Sequence, residues 1–148
     1  MINPNEDGIT HTNIYSKGKT ELGRFLSNFT YFPFTCEDGD FNSVEGYWYW
    51  LSTGDDRLRK LDGWEAKKLG RELRGEDWND SDEFKRKITA AIKIKLDYAK
   101  NELSTIRFPL KHYYVFRKCG REIEEIVNEP FSGRWIIEYI ESYIKGLK

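Results

Sequence analysis

The spacing of apolar residues changes period several times along the chain. Residues 12–17 (TNIYSK) read as a short strand stopped by Gly18, and residues 24–29 (RFLSNF) alternate as a second extended piece. Phe34 and Phe41 flank Asp38-Gly39, a hairpin turn signal. From Val44 the period becomes helical, with Ser43 as the N-cap and Gly54-Asp55-Asp56 as the stop. A second helix is predicted over 63–73, where Trp64, Ala66, Leu69 and Leu73 fall near helical spacing.

The third helix has the clearest pattern. Asp80-Ser81-Asp82-Glu83 places acids at its N-terminus, and it runs to about Lys100. Phe84, Ile88, Ala91, Ile92, Lys95 and Ala99 trace one face, and Ile94 and Tyr98 widen it, which predicts deep burial. Residues 112–117 (HYYVFR) read as a strand and Cys119-Gly120 as a turn. Ile123 to Val127 reads as a partner strand or a helical turn. Ser132 is placed to cap a last helix carrying Trp135, Ile136, Tyr139, Ile140, Tyr143 and Ile144, with Lys145 and Lys148 near its C-terminus. The pattern predicts one α+β domain over residues 1–148, mainly helical with a small antiparallel sheet. A chain of 148 residues can bury a core of its own without staples.

Charge narrows the function. Charged residues make up 33% of the chain and nearly cancel, leaving a formal net charge of -1. No global basic field announces a long nucleic-acid footprint. The cysteines are Cys36 and Cys119 and the histidines His11 and His112, with no local pairing, so a zinc site is not expected. The N-terminal MINPNEDGIT lacks a basic and an apolar signal region, and no run reaches membrane-spanning length. The chain therefore reads as cytoplasmic with reduced thiols. Nucleophile elbows, Walker loops and GxGxxG are missing from the sequence, and nothing orients a Cys–His pair.

Aromatic residues are abundant at 16%, and four fall together at Tyr47-Trp48-Tyr49-Trp50 behind Glu45. Rings fill cores but also stack on bases. A helix spreads these four around its circumference. Tyr47 and Trp50 share one side, at least one of them in the core, while Trp48 and Tyr49 flank the face of Glu45. Glu45 has two readings: a carboxylate placed for the helix dipole, or an acid desolvated by rings and tuned for proton transfer near neutral pH. Lys17 at its glycine turn, Asn28 in apolar company, and Arg71 and Trp78 at and beyond the second helix are the other candidates. Each also has a structural reading as a surface charge, a satisfied amide, a surface ion pair or a core ring.

In order, these pieces resemble a known family. Ser16-Lys17-Gly18, Leu26-Ser27-Asn28-Phe29, Phe34, Asp38-Gly39 and Ser43-Val44-Glu45-Gly46-Tyr47 are similar to the N-terminal signature of the NADAR family, the YbiA-like N-glycosidases. Ala66-Lys67-Lys68-Leu69-Gly70-Arg71 followed by Trp78 resembles that family's next segment, and Phe84 to Ala99 its following helix. The resemblance spans about residues 12–100 and rests on the order of several weak motifs. It implies a compact α+β fold that hydrolyses N-glycosidic bonds to ribose. The implied substrates are phosphorylated riboflavin-pathway intermediates or ADP-ribose on guanine, including guanine in DNA. It further implies Glu45 as the catalytic carboxylate. Lys17, Asn28, Arg71 and Trp78 are implied around the ligand. Tyr47 and Trp48, which could help Trp78 hold the base, and His112 are further candidates for binding it, and no metal and no cofactor are expected.

The sequence departs from the family at two places. Gly46 stands where the family has histidine, and the C-terminal D-x-x-W-G element is replaced by Pro109-Leu110-Lys111-His112-Tyr113-Tyr114 and Trp135-Ile136. That segment resembles a divergent, viral branch, for which the compartment would be the host cytoplasm. Two rival functions carry over: a module that binds ADP-ribose or a related nucleotide without cleaving it, and a structural protein whose rings form an interface.

Overall fold

The computed structural model describes residues 2–76, 80–119, 123–130 and 133–147. In chain order its elements are β1 (Thr12–Asn13), α1 (Glu21–Leu26), β2 (Phe34–Cys36), β3 (Gly39–Phe41), α2 (Val44–Thr53), α3 (Gly63–Arg74), α4 (Asp82–Tyr98), α5 (Lys100–Leu103), β4 (Leu110–Lys111), β5 (Tyr114–Cys119), β6 (Ile123–Asn128) and α6 (Arg134–Lys145). Short 3₁₀ turns occupy Pro4–Glu6 and Asp56–Lys60. The architecture is mixed α+β and mostly helical. Among the described residues no helix is long and apolar enough to cross a membrane. Among the described residues the expected small sheet is three separate two-stranded pairs. β2–β3 and β5–β6 are antiparallel as expected, but β1 pairs with β4 in parallel.

Backbone contacts group the chain into two units, Asn28–Ala99 and Met1–Ser27 with Lys100–Lys148. In the Asn28–Ala99 unit, the β2–β3 hairpin pairs Cys36 with Gly39 and Phe34 with Phe41. Ser43 then starts α2 as its N-cap: the Oγ accepts from the Gly46 amide at 3.0 Å, worth about 1 kcal/mol. Gly54, left-handed at φ 71°, ends α2. The core holds Phe34, Phe41, Val44, Tyr47, Tyr49, Leu58 and Ala66 with Phe84, Ile88, Ala91, Ile92 and Leu96 of α4. α4 is capped by the Ser81 Oγ, which accepts from the Phe84 amide. Its face is narrower than the sequence pattern predicts. Ile94 is 37% and Tyr98 76% exposed, because they lie off the Phe84–Ile88–Ala91–Ile92 stripe. Lys95 lies on that stripe, and burial pulls its pKa down to about 7.

α3 also departs from expectation. Trp64 is 60% exposed and Leu73 38%, while the buried positions are Ala66 and Gly70. A Cβ on Gly70 would collide with the Tyr49 ring, so glycine lets α2 and α3 cross closely.

In the other unit, Thr12 pairs with Leu110 and Asn13 with Lys111. Asn13 extends that pairing through its side chain, donating to the Tyr113 carbonyl and accepting the Tyr113 amide, each at 2.9 Å. The expected strand over 12–17 stops at Asn13 because Tyr15 to Gly18 close a turn, the Gly18 amide donating to the Tyr15 carbonyl at 3.0 Å. The expected extended piece over 24–29 is instead helix α1 for its first half. Thr20 nucleates it by accepting the Gly23 amide at 2.9 Å, and the chain turns extended again at Ser27. The strand expected over 112–117 begins two residues later, at Tyr114, and Ile123–Asn128 is its partner strand. α6 buries Ile136, Ile140 and Ile144 at helical spacing. Gly133 precedes it at φ 80°, whereas Ser132, its expected cap, and Lys148 lie outside the described residues.

Candidate active site

Glu45 is the second residue of α2, in its first turn. A helix N-terminus leaves amides without intrahelical partners. The Glu45 amide finds one in the Asn28 carbonyl at 3.0 Å. The next carbonyl, that of Phe29, does the same for Gly63 at the start of α3, also at 3.0 Å. Ser43 adds a third tie: its hydroxyl donates to the Leu61 carbonyl at 2.9 Å. The 28–29 segment and the 61–63 turn thus bring the first turns of α2 and α3 side by side.

Glu45 as a residue is neither fully buried nor exposed, while its carboxyl is desolvated. No described residue gives its carboxylate a hydrogen bond or an ion pair within 4.0 Å. Lys67, Arg71 and Arg74 act on it electrostatically from α3. Their spacing of four and three residues puts all three on one helical face. Burial raises the Glu45 carboxyl, and the three cations only partly counter it, so its pKa settles at about 7. The helix dipole favours the ionised form by about 0.3–1 kcal/mol. Desolvating a charge costs several kcal/mol, so burial wins.

The neighbours respond in kind. Lys67 is half-buried, and its pKa is lowered by burial and by Arg71, against the opposing pull of Glu45. It stands 5.6 Å from the Phe29 ring centroid. Tyr49, one turn beyond Glu45, has its hydroxyl raised by burial and by the Glu45 charge; the hydroxyl faces Arg71. Arg74 lies 5.2 Å over the Tyr49 ring. With Glu45 ionised, these four charges sum to +2, and with Glu45 protonated to +3. The arrangement holds an acid that changes charge near neutrality beside a surface suited to phosphate oxygens.

The sequence candidates fall unevenly around this centre. Arg71 sits on the α3 face, exposed. Asn28 contributes its backbone carbonyl. Trp48 is half-buried, edge-on to Phe84 with ring centroids 4.7 Å apart. Tyr47 is not a stacking surface. It is fully buried, packed 4.6 Å from Phe41, and its hydroxyl donates to Asp38 at 2.7 Å. Trp50, on the same side of α2, shares the Arg59 guanidinium with Phe41. Trp78 lies outside the described residues.

Lys17 and His112 belong to the other unit. Lys17 is exposed in the Tyr15–Gly18 turn. The His112 Nδ1 donates to the Ile14 carbonyl at 2.6 Å, which fixes the ring's orientation. Its ring lines a cleft of about 150 Å³ with Lys111, Glu129 and Arg134. Among the described residues no group of three His, Cys, Asp or Glu side chains could hold a metal ion.

Lys67, Tyr49 and Arg74 were not among the sequence candidates. The signal that could have found them is the i, i+4, i+7 cation spacing on α3 beside the i, i+4 pair Glu45–Tyr49 on α2.

The position of Gly46 is also explained. A Cβ there would lie 2.5 Å from the Leu58 carbonyl oxygen and 3.2 Å from that of Leu61. The backbone of the 58–61 turn fills the space that a side chain would need. No protein-family model, no curated protein and no solved structure matches the chain.

Proposed function

We propose that the chain is an N-glycosidase that hydrolyses the bond between ribose and a nitrogen base in a phosphorylated ribosyl nucleotide or an ADP-ribose conjugate. The observation that carries this reading is Glu45: a desolvated carboxyl without a bonded partner among the described residues, raised to a pKa of about 7, beside the cationic face of Lys67, Arg71 and Arg74. Cleavage of an N-glycoside develops positive charge on the ribose and negative charge on the departing nitrogen. A carboxyl that titrates near neutrality can serve either end of that separation, as acid to the leaving nitrogen or as base to the attacking water. The α3 cations bind the phosphate groups and fix the sugar relative to Glu45. The ordered likeness to the NADAR family supports the same assignment of Glu45, and Trp48 and Trp78 remain its candidates for holding the base. On this reading the chemistry needs no metal and no cofactor.

Gly46 favours a second reading, a module that captures the nucleotide without cleaving it. The family histidine beside the catalytic carboxylate has no room here. A glycohydrolase panel read by mass spectrometry separates the two readings. It would contain ADP-ribosyl-guanosine, ADP-ribosylated DNA and phosphorylated riboflavin precursors. Release of free base supports the enzyme, whereas binding with every ligand intact supports the module.

A further inference from the structure

We propose that the cleft between β4 and the start of α6 binds a sugar phosphate, with the phosphate on Lys111 and Arg134 and the sugar hydroxyls on Glu129. The site shares no residue with the Glu45 cluster, and all of it lies in the unit of Met1–Ser27 with Lys100–Lys148.

The cleft measures about 150 Å³. One water takes roughly 10–15 Å³ of such space, so this cleft has room for a polyatomic ligand. Its walls are tied to each other: β4 pairs with β1, and the Leu110 amide donates to the Glu141 carboxylate of α6 at 2.9 Å. The His112 ring on the same wall is held by its 2.6 Å bond to the Ile14 carbonyl and lies edge-on to Tyr114, with centroids 5.1 Å apart. Leu110, Pro130 and Ile137 supply apolar lining. A preformed cleft with apolar lining and a few convergent polar groups is the usual form of a small-molecule site.

The polar groups choose the ligand. Lys111 is half-buried, and its ammonium makes no hydrogen bond or ion pair with a described residue. Arg134 reaches Glu138 only at 4.0 Å, an exposed pair that gives little up when the guanidinium turns to a ligand. Arg134 is also the first residue of α6, which starts without a side-chain cap, so the first-turn amides add positive potential at that wall. Two cations from different elements suit a dianionic phosphate, the ammonium as a point charge and the guanidinium as a fork. Glu129 sets the rest. Its carboxylate has no partner among the described residues and, ionised, only accepts hydrogen bonds. It repels a bare anion and favours one that carries hydroxyl donors beside its phosphate.

The test is titration calorimetry of the full chain with ribose 5-phosphate, AMP, inorganic phosphate and ribose. Both sugar phosphates should bind at least about tenfold more tightly than inorganic phosphate or ribose. Tighter AMP names a nucleotide as the source of the sugar phosphate, and tighter ribose 5-phosphate names the free sugar ester. Lys111→Met and Arg134→Met should each weaken ribose 5-phosphate at least about tenfold, and Glu129→Gln should narrow its lead over inorganic phosphate. Inorganic phosphate binding as tightly as the sugar phosphates, or no binding of either sugar phosphate at millimolar concentration, would overturn the proposal. So would a loss of binding in Arg71→Met with none in Lys111→Met, which would place the ligand on α3. The glycohydrolase panel fails independently, because base release depends on Glu45 and not on this cleft.

Discussion

The backbone carbonyl of Asn28 accepts the amide hydrogen of Glu45 at 3.0 Å. A sequence-distant loop thus completes the first turn of α2 and sets the carboxyl that the site depends on. Ser43 completes the same turn from the other side, through its bonds to the Gly46 amide and the Leu61 carbonyl. Ser43→Ala is expected to cost about 1–2 kcal/mol, since it removes a cap and leaves the part-buried Leu61 carbonyl without this donor. The midpoint of urea unfolding measures this, and an unchanged midpoint would show that the two bonds contribute nothing.

Gly46 is a packing requirement before it is a family difference. Gly46→Ala should destabilise the protein by about 1–3 kcal/mol, because its Cβ would press on the Leu58 carbonyl. Gly46→His should cost more and should not improve base release. Thermal unfolding of the two variants tests this, and a histidine variant as stable as the parent would contradict the packing argument.

Glu45 should make stability depend on pH with an unusual sign. Its folded pKa, about 7, lies above its ordinary value of 4.5. The native state therefore binds the extra proton, and stability is lost as pH rises from about 4.5 through 7. Glu45→Gln removes a charge that is costly to bury. It should raise Tm relative to the parent more at pH 8 than at pH 5. An equal effect at both pH values would show that Glu45 is not desolvated. A gain in stability at the expense of activity is the usual mark of a functional carboxylate.

The α3 face should act on substrate and on the acid together. Lys67→Met or Arg74→Met should raise KM about tenfold by removing a phosphate partner. Each also removes a cation that holds the Glu45 pKa down, so the Glu45 limb of the pH–rate profile should move to higher pH. A raised KM with an unmoved limb would separate phosphate binding from the tuning of Glu45.

Local chemistry made α2 legible from sequence. Ser43, the helical period from Val44 and Gly54 gave its bounds, and the Asp38-Gly39 signal gave the hairpin. α1 was misread because its Leu26-Ser27-Asn28-Phe29 end alternates, and the Thr20 cap outweighs that alternation. The exposure of Trp64 and Tyr98 was not legible, since a period marks a face but not its width. At the site, Glu45 and Arg71 stood out by motif order. Tyr49 is placed on the Glu45 face by helical spacing alone, but Lys67 and Arg74 join them only through the α2–α3 crossing at Gly70, a relation between helices that no single stretch of sequence encodes. Tyr47 passed for a site residue because a ring beside a carboxylate looks the same in sequence whether it faces ligand or core.

The most direct test of the account compares the parent protein with Glu45→Gln on ADP-ribosyl-guanosine, ADP-ribosylated DNA and phosphorylated riboflavin precursors, with the released base quantified by mass spectrometry. The account predicts base release from at least one of them by the parent, and a loss of at least about a hundredfold in Glu45→Gln with ligand binding retained. Release at the parent rate by Glu45→Gln, or no release from any of them by the parent, would contradict it.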